Sequence, residues 1–282
     1  MKQYFLATLF IFTLISSCQQ RIDQPATSAK TSFHFDSSFV WPEGIKAAVS
    51  LSFDDARFSQ IDTGMAILDS FDVQASFYVS IWSAKQRLDG WKNALKNGHE
   101  IGNHSLHHPC TANFDWSREY FLESMDLETM KYEIEEANVQ IGDIGLGLPQ
   151  TFAYPCGQKF VGQGNATASY VPLVAEGFLA GRGWQDEAPN NPMFCDMAQL
   201  MGMSSDAKDF NEIKTLLDQV ITQGGWLILA GHEIGMQGPQ TTRVQMLKEL
   251  LPYLKDPANA IWVAPIKTIA SYISDHRQTK LN

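Results

Sequence analysis

Cysteine is scarce in this chain: four in 282 residues, at positions 18, 110, 156 and 195, with no Cys-x-x-Cys spacing. The missing spacing argues against a zinc knot built on Cys110. The three cysteines after position 18 allow at most one intrachain disulfide, whose partners the sequence leaves open. Basic residues are also few, 21 against 31 acidic, for a formal net charge of −10. That balance disfavours nucleic acid and anionic membrane surfaces as binding targets. No internal repeat is present, and the apolar run Tyr4 to Ile15 is too short to span a bilayer as a helix.

Lys2 followed by that apolar run makes residues 1–17 a short secretion signal. It ends Leu14-Ile15-Ser16-Ser17-Cys18, which resembles the lipobox of bacterial lipoproteins, where cleavage precedes the cysteine and its thiol is lipidated. The resemblance implies a protein of the bacterial cell envelope, anchored in the lipid bilayer through Cys18, on the periplasmic face or the cell surface. The alternative is a secreted protein whose Cys18 is incidental. Residues 18–40 are polar, with Pro25 and several Ser and Thr, and read as a flexible tether. Residues 41–282 are long enough for one α/β domain.

Within that domain, apolar runs at 47–53, 73–79, 150–153, 178–180, 226–230 and 261–264 alternate with amphipathic segments at 61–70, 117–137, 207–222 and 243–254. Strand-like and helix-like segments in alternation predict a mostly parallel barrel. Segment 158–207, rich in Gly, Asn, Pro and Met, has weak periodicity and is expected to form long loops over the face that carries the chemistry.

That chemistry starts at Asp54-Asp55, which close the apolar run ending Ser52-Phe53. Carboxylates at a buried strand mouth lose solvation unless a cation or proton offsets their charge, and adjacent residues on a strand point opposite ways, so the two can take different tasks. An Asp-Asp helix cap before Arg57-Phe58 is the alternative. About fifty residues on, Gly98 to Pro109 holds His99, His104, His107 and His108. His104 and His108 are four apart, which on a helical turn puts both imidazoles on one side. With an acidic strand end they form a two-His, one-carboxylate set that leaves coordination positions open, as catalysis requires. Two further strand ends belong to the same face: Trp226 to Ala230, leading to His232, and Thr151 to Gly157, a Pro-Gly turn with exposed amides or an ordinary strand-to-loop turn. Seven tryptophans, among them Trp82, Trp184 and Trp226, either stack on sugars or fill a barrel interior.

In this order these segments resemble the polysaccharide deacetylases of carbohydrate esterase family four, the NodB-homology family, over residues 46–275. The resemblance is carried most strongly by Ser52-Phe53-Asp54-Asp55 and His104-Ser105-Leu106-His107-His108. It implies a single-domain distorted (β/α) barrel of about seven or eight strands. It makes Asp54 the general base, Asp55, His104 and His108 the ligands of a divalent metal, zinc first with cobalt or nickel possible substitutes, and His232 the general acid. Two departures stand out. The usual third motif has an Arg and two prolines before Tyr-Gly, whereas this chain has Ala153-Tyr154-Pro155-Cys156-Gly157, so the oxyanion-binding amide falls on Cys156. The missing Arg resembles one supplied from a later strand end, here Arg182 in Gly181-Arg182-Gly183-Trp184, which would orient Asp54 through its opposite charge. In the last motif Leu229 sits three residues before the histidine, not two. Tyr154 and Trp184 are candidates for the substrate-lining surface.

The implied activity is metal-dependent hydrolysis of N-acetyl groups on the amino sugars of an acetylated glycan or oligosaccharide. The same site fits O-acetyl ester hydrolysis on a xylan-like glycan or cleavage of a small-molecule C–N bond. A non-catalytic glycan-binding lipoprotein would show a lost ligand or base, and none is lost. No protein partner is legible.

Overall fold

The computed structural model describes residues 39–277 together with the backbone of 34–35 and 279–280. The signal, Cys18 and nearly all of the tether lie outside the described residues. Among the described residues, no helix is long and apolar enough to cross a membrane.

The fold is built round β1 (Ala47–Asp54), every residue of which is buried. Parallel partners follow on one side as β2 (Ser76–Val79), β3 (Glu100–Asn103), β4 (Thr151–Ala153) and β5 (Ala180–Arg182). On the other side lie β7 (Trp226–Gly231) and β6 (Met203–Ser204), while β8 (Ile261–Val263) pairs with the first half of β1. The eight strands make one curled parallel sheet, the distorted barrel expected from the sequence. β2 pairs with Ser52–Asp54 and β8 with Ala47–Val49, so β1 is shared along its length and the ring is irregular.

Side-chain alternation sorts the two faces. Ala47, Val49, Leu51 and Phe53 of β1, with Leu227 and Leu229 of β7, pack outward against α5 (Phe210–Gln223) and α6 (Val244–Lys255). Ala48, Trp226 and Ile228 face inward, where α7 (Ile266–His276) plugs the barrel with Ile266, Ile269 and Ile273. The same parity puts Asp54 and His232 on the inner side. Register completes the convergence: Asp54 lies beside Tyr78, Asn103 beside Phe152, Arg182 beside Ala153 and Gly231 beside Phe53, so the C-terminal strand ends open at one mouth.

Three elements differ from the sequence reading. β3 was not among the expected strands, because Glu100, Gly102 and Asn103 break its apolar run; it is buried nonetheless. The expected helix at 117–137 begins instead at Leu127, since Asp126 caps α3 (Leu127–Asp143) by accepting from Thr129 N. The residues before it form a looped wall. Segment 158–207 is less loop-like than expected, holding α4 (Val171–Gly177), β5 and β6.

Candidate active site

Asp54 ends β1 almost fully buried, and Asp55 turns away from it in the left-handed region (φ 72°), followed by Ala56 (φ 52°). The kink sends the two carboxylates in different directions. Arg182, wholly buried at the end of β5, donates through Nη2 to Asp54 Oδ1 and through Nη1 to Gly183 O at 2.8 Å, with Tyr78 packed against its guanidinium. A side chain at Gly202 would collide with Arg182, so glycine there keeps this buried arginine in place. Asp54 Oδ2 is left facing the histidines, 4.0 Å from His104 Nε2.

Asp55 Oδ1 lies 3.6 Å from both His104 Nε2 and His108 Nε2, while its other oxygen accepts from Arg57. One ligand atom from each of the three residues falls within 4.8 Å of the others. The donor set fits a divalent cation. His104 Nδ1 sits 2.8 Å from Ala153 O, a contact that needs its proton there and leaves the Nε2 lone pair turned to the trio. Burial and the neighbouring His104 push the His108 imidazole down to about 4, so it is neutral near pH 7. Burial raises the Asp55 carboxyl, but the electrostatic influence of His104, His108 and Arg57 outweighs that and holds it below its ordinary value.

The two histidines do not share a helical turn, contrary to the sequence reading. They lie on a loop after β3 in which Ser105 (φ 60°) and His108 (φ 54°) are left-handed, and the chain is locked by Asn103 Oδ1 accepting from Ser105 N and Ser105 Oγ from His108 N. The other histidines of the cluster point elsewhere. His107 pairs with buried Glu133 at 2.7 Å, and His99 pairs with Asp69 and accepts from Ala75 N.

His232, at the end of β7, completes the mouth. Its Nδ1 lies 2.6 Å from Asp206 Oδ2, and Asp206 Oδ1 accepts from His232 N and Thr242 Oγ1. Burial lowers the imidazole pKa, but the Asp206 hydrogen bond and the charge of Asp54 more than reverse this, so it lies above the ordinary histidine value. Gln60 donates to the carbonyls of both Asp54 and His232, tying the two strand ends. Trp184 meets the His232 ring edge-on, centroids 4.8 Å apart.

Cys156 (φ 53°) forms a disulfide with Cys110, fastening the third-motif turn to the histidine loop. Asp54, Asp55, His104, His108, Cys156, Trp184 and His232 all line one cleft of about 730 Å³. Tyr154 does not: it is buried, donating to Ala198 O, because its strand parity carries it into the core. Trp226 is likewise core. Asp206 and Gln60 were not found from the sequence, being single polar residues outside any motif-like run; a polar residue ending the short β6 was the only available signal for the first.

A family model described as polysaccharide deacetylase matches residues 42–169, spanning Asp54, Asp55, both histidines and Cys156. Residues 42–169 are similar to a polysaccharide deacetylase domain. Arg182, Asp206 and His232 lie beyond the matched part and join it through the fold. The fold superposes on a Mycobacterium smegmatis protein assigned as a polysaccharide deacetylase (TM-score 0.61, 17% identity, 86% of this chain and 95% of that one). It also superposes on a family 4 carbohydrate esterase from Streptomyces lividans solved with acetate (0.52, 17%, 82% and 95%). A third match is a family 4 acetyl xylan esterase from Clostridium thermocellum solved with a cobalt ion (0.51, 17%, 79% and 90%). At this identity the likenesses carry the fold alone. No curated protein matches the chain by sequence.

Proposed function

We propose that this deacetylase domain is a metal-dependent hydrolase that removes N-acetyl groups from amino sugars of a glycan. The observation that carries the reading is the convergence of Asp54, Asp55, His104, His108 and His232 at one strand mouth, with Arg182 occupying one oxygen of Asp54 and leaving the other toward the histidines. Asp55, His104 and His108 would hold a divalent cation, zinc fitting two imidazoles and a carboxylate best and cobalt or nickel next. When bound, such an ion supplies Lewis acidity to the acetyl carbonyl and to water.

The chain's own groups divide the remaining work. Asp54 Oδ2 takes the proton from the water that attacks the carbonyl carbon. Arg182 holds Asp54 in position through Oδ1. The Cys156 amide at the cleft wall is the donor to the developing oxyanion. His232, its Nδ1 held by Asp206, delivers a proton from Nε2 to the sugar nitrogen as the C–N bond breaks, giving acetate and the free amine.

Acetate release from acetylated chitooligosaccharides, peptidoglycan fragments and acetylated xylan, measured side by side, tests the reading. Release from the first two supports N-deacetylation; release from xylan alone replaces it with O-deacetylation. His104→Ala and His108→Ala should each lose the roughly one equivalent of bound divalent metal expected of a single three-ligand site. Full metal content in the double variant would refute the ligand set. A lipid anchor at Cys18 belongs to the same proposal, and membrane retention of Cys18→Ala would contradict it.

A further inference from the structure

The Cys110–Cys156 disulfide joins the histidine loop to the turn that follows β4. Cys110 comes two residues after His108, and its Sγ lies 3.8 Å from His108 Nδ1. Cys110 is itself buried and fixed by Ser117 Oγ, which accepts from Cys110 N and donates to Cys110 O. Beside the S–S bond, Thr111 N donates to Gln158 Oε1 at 2.9 Å across the same junction.

The turn offers one free amide on a backbone that has to be held. Gly157 N and Gln158 N donate to Tyr154 O and Pro155 O at 2.8 and 3.0 Å, whereas Cys156 N has no partner among the described residues, and Cys156 lines the cleft. An unpaired backbone donor beside the carboxylates and imidazoles fits an acceptor that arrives with the substrate. Cys156 holds that amide at φ 53° and ψ 15°, a left-handed conformation disfavoured for any residue with a Cβ. Glycine suits such a position, as Gly157 beside it does at φ 69°. The bond accounts for a cysteine there instead: its tether to buried Cys110 keeps the turn in a shape that its own backbone resists.

Resting on the acetyl-hydrolysis reading above, we propose that Cys110 is a positioning residue for the oxyanion donor and that its disulfide is a redox switch. Oxidised, the bond aims the Cys156 N–H into the cleft. Reduced, Cys156 relaxes to negative φ and the donor is lost, while Asp55, His104 and His108 stay in place. The switching reaction is exchange with a dithiol reductant. One thiolate attacks Cys156 Sγ, the less buried sulfur of the pair, and releases Cys110 as a thiolate that takes up a proton. The second thiol of the reductant then displaces Cys156, so two electrons and two protons reach the protein and the reductant leaves as a disulfide. The hydrolase is on in an oxidising compartment and off in a reducing one.

The test uses the metal-loaded full chain carrying Cys195→Ser, which removes the free thiol beside Arg277, and tris(2-carboxyethyl)phosphine as a reductant that is not a chelating dithiol. Reduction should lower kcat about ten- to a hundred-fold on both N-acetylated chitotetraose and 4-nitrophenyl acetate, because an oxyanion forms on either acetyl group. KM should stay within about twofold and bound metal at about one equivalent, and reoxidation should restore the rate. Cys110→Ser/Cys156→Ser should be slow and indifferent to the phosphine. Cys110→Ser/Cys156→Gly should regain most of the rate without the bond, since glycine takes positive φ freely; a bond that only stabilises the fold predicts the opposite order, glycine being the more flexible. Loss of metal on reduction, or a glycine variant as slow as the serine one, would overturn the switch. Chitotetraose deacetylation indifferent to reduction would overturn the switch and leave the reaction standing. Redox-dependent hydrolysis of the ester with no acetate released from chitotetraose would uphold the switch and overturn N-deacetylation.

Discussion

Two carboxylates at the strand ends of this sheet, one fully buried and one partly exposed, have opposite surroundings. Glu100, at the start of β3, is fully satisfied: Oε1 accepts from Thr151 Oγ1 at 2.6 Å, and Oε2 from Ser76 Oγ at 2.6 Å and from Lys267 N at 3.0 Å, at the first turn of α7. Asp55, past the end of β1, has one oxygen on Arg57 and the other 3.6 Å from two imidazole nitrogens, too far for hydrogen bonds and well spaced for a shared cation. Burial is therefore a poor marker of the site, because the more deeply buried acid, Glu100, lies outside it and the partly exposed Asp55 belongs to it. The mark is convergence without consummation, lone pairs aimed at one point with nothing protein-derived between them. The backbone shows the same contrast. Asp55, Ala56, Ser105, His108, Cys156 and Gln185 all hold left-handed φ around the mouth, a strain of order 1 kcal/mol or more each that the stitched loops maintain.

The sharpest break in the comparison comes from Arg182. Arg182→Met leaves Asp54 buried without its partner and should cut kcat/KM roughly 10²- to 10⁴-fold, the range for a disabled general base, with about 3–5 kcal/mol lost from unfolding free energy. Steady-state kinetics and chemical denaturation read the two effects. Wild-type values for both would return Arg182 to a passive role. Next is Asp206→Asn. Asp206 lifts the His232 pKa, so the protonated acid persists to higher pH; without the carboxylate the alkaline limb of the kcat/KM profile should move to lower pH. The stability this pair contributes is fully present below the ordinary histidine pKa and is lost as pH rises through the raised folded value, so the variant should also flatten that part of the stability profile. An unmoved alkaline limb would separate His232 from the acid role. The smallest catalytic effect should come from Glu100→Gln, which breaks a satisfied network, costs about 1–3 kcal/mol in a thermal melt, and leaves kcat near wild type. A large loss of kcat in the folded variant would erase the distinction between the two acids.

The parallel barrel was legible because its central strands, 47–53 and 226–230, are continuous apolar runs, as strands buried on both faces must be. β3 was hidden because its buried polar residues serve networks that only the fold assembles, Glu100 toward β2 and β4 and Asn103 toward α3. The residues that converge were named from the sequence, Asp54, Asp55, His104, His108, Arg182 and His232, yet the geometry that unites the histidines was not. Spacing of four suggested a helix, while the chain achieves the juxtaposition with two left-handed residues, which no periodicity reveals. Asp206 was invisible because a lone aspartate 26 residues from its histidine has no local signature. The disulfide was open among three cysteines until the third-motif turn and the histidine loop came together.

The central claim is that the adjacent aspartates divide the labour, Asp55 holding the metal and Asp54 moving the proton. Metal content and acetate release should be measured together on Asp54→Asn and Asp55→Asn. The account predicts that Asp54→Asn keeps about one equivalent of metal and loses roughly 10²- to 10⁴-fold in rate, whereas Asp55→Asn loses both. Equal metal content and equal residual rates in the two variants would contradict it.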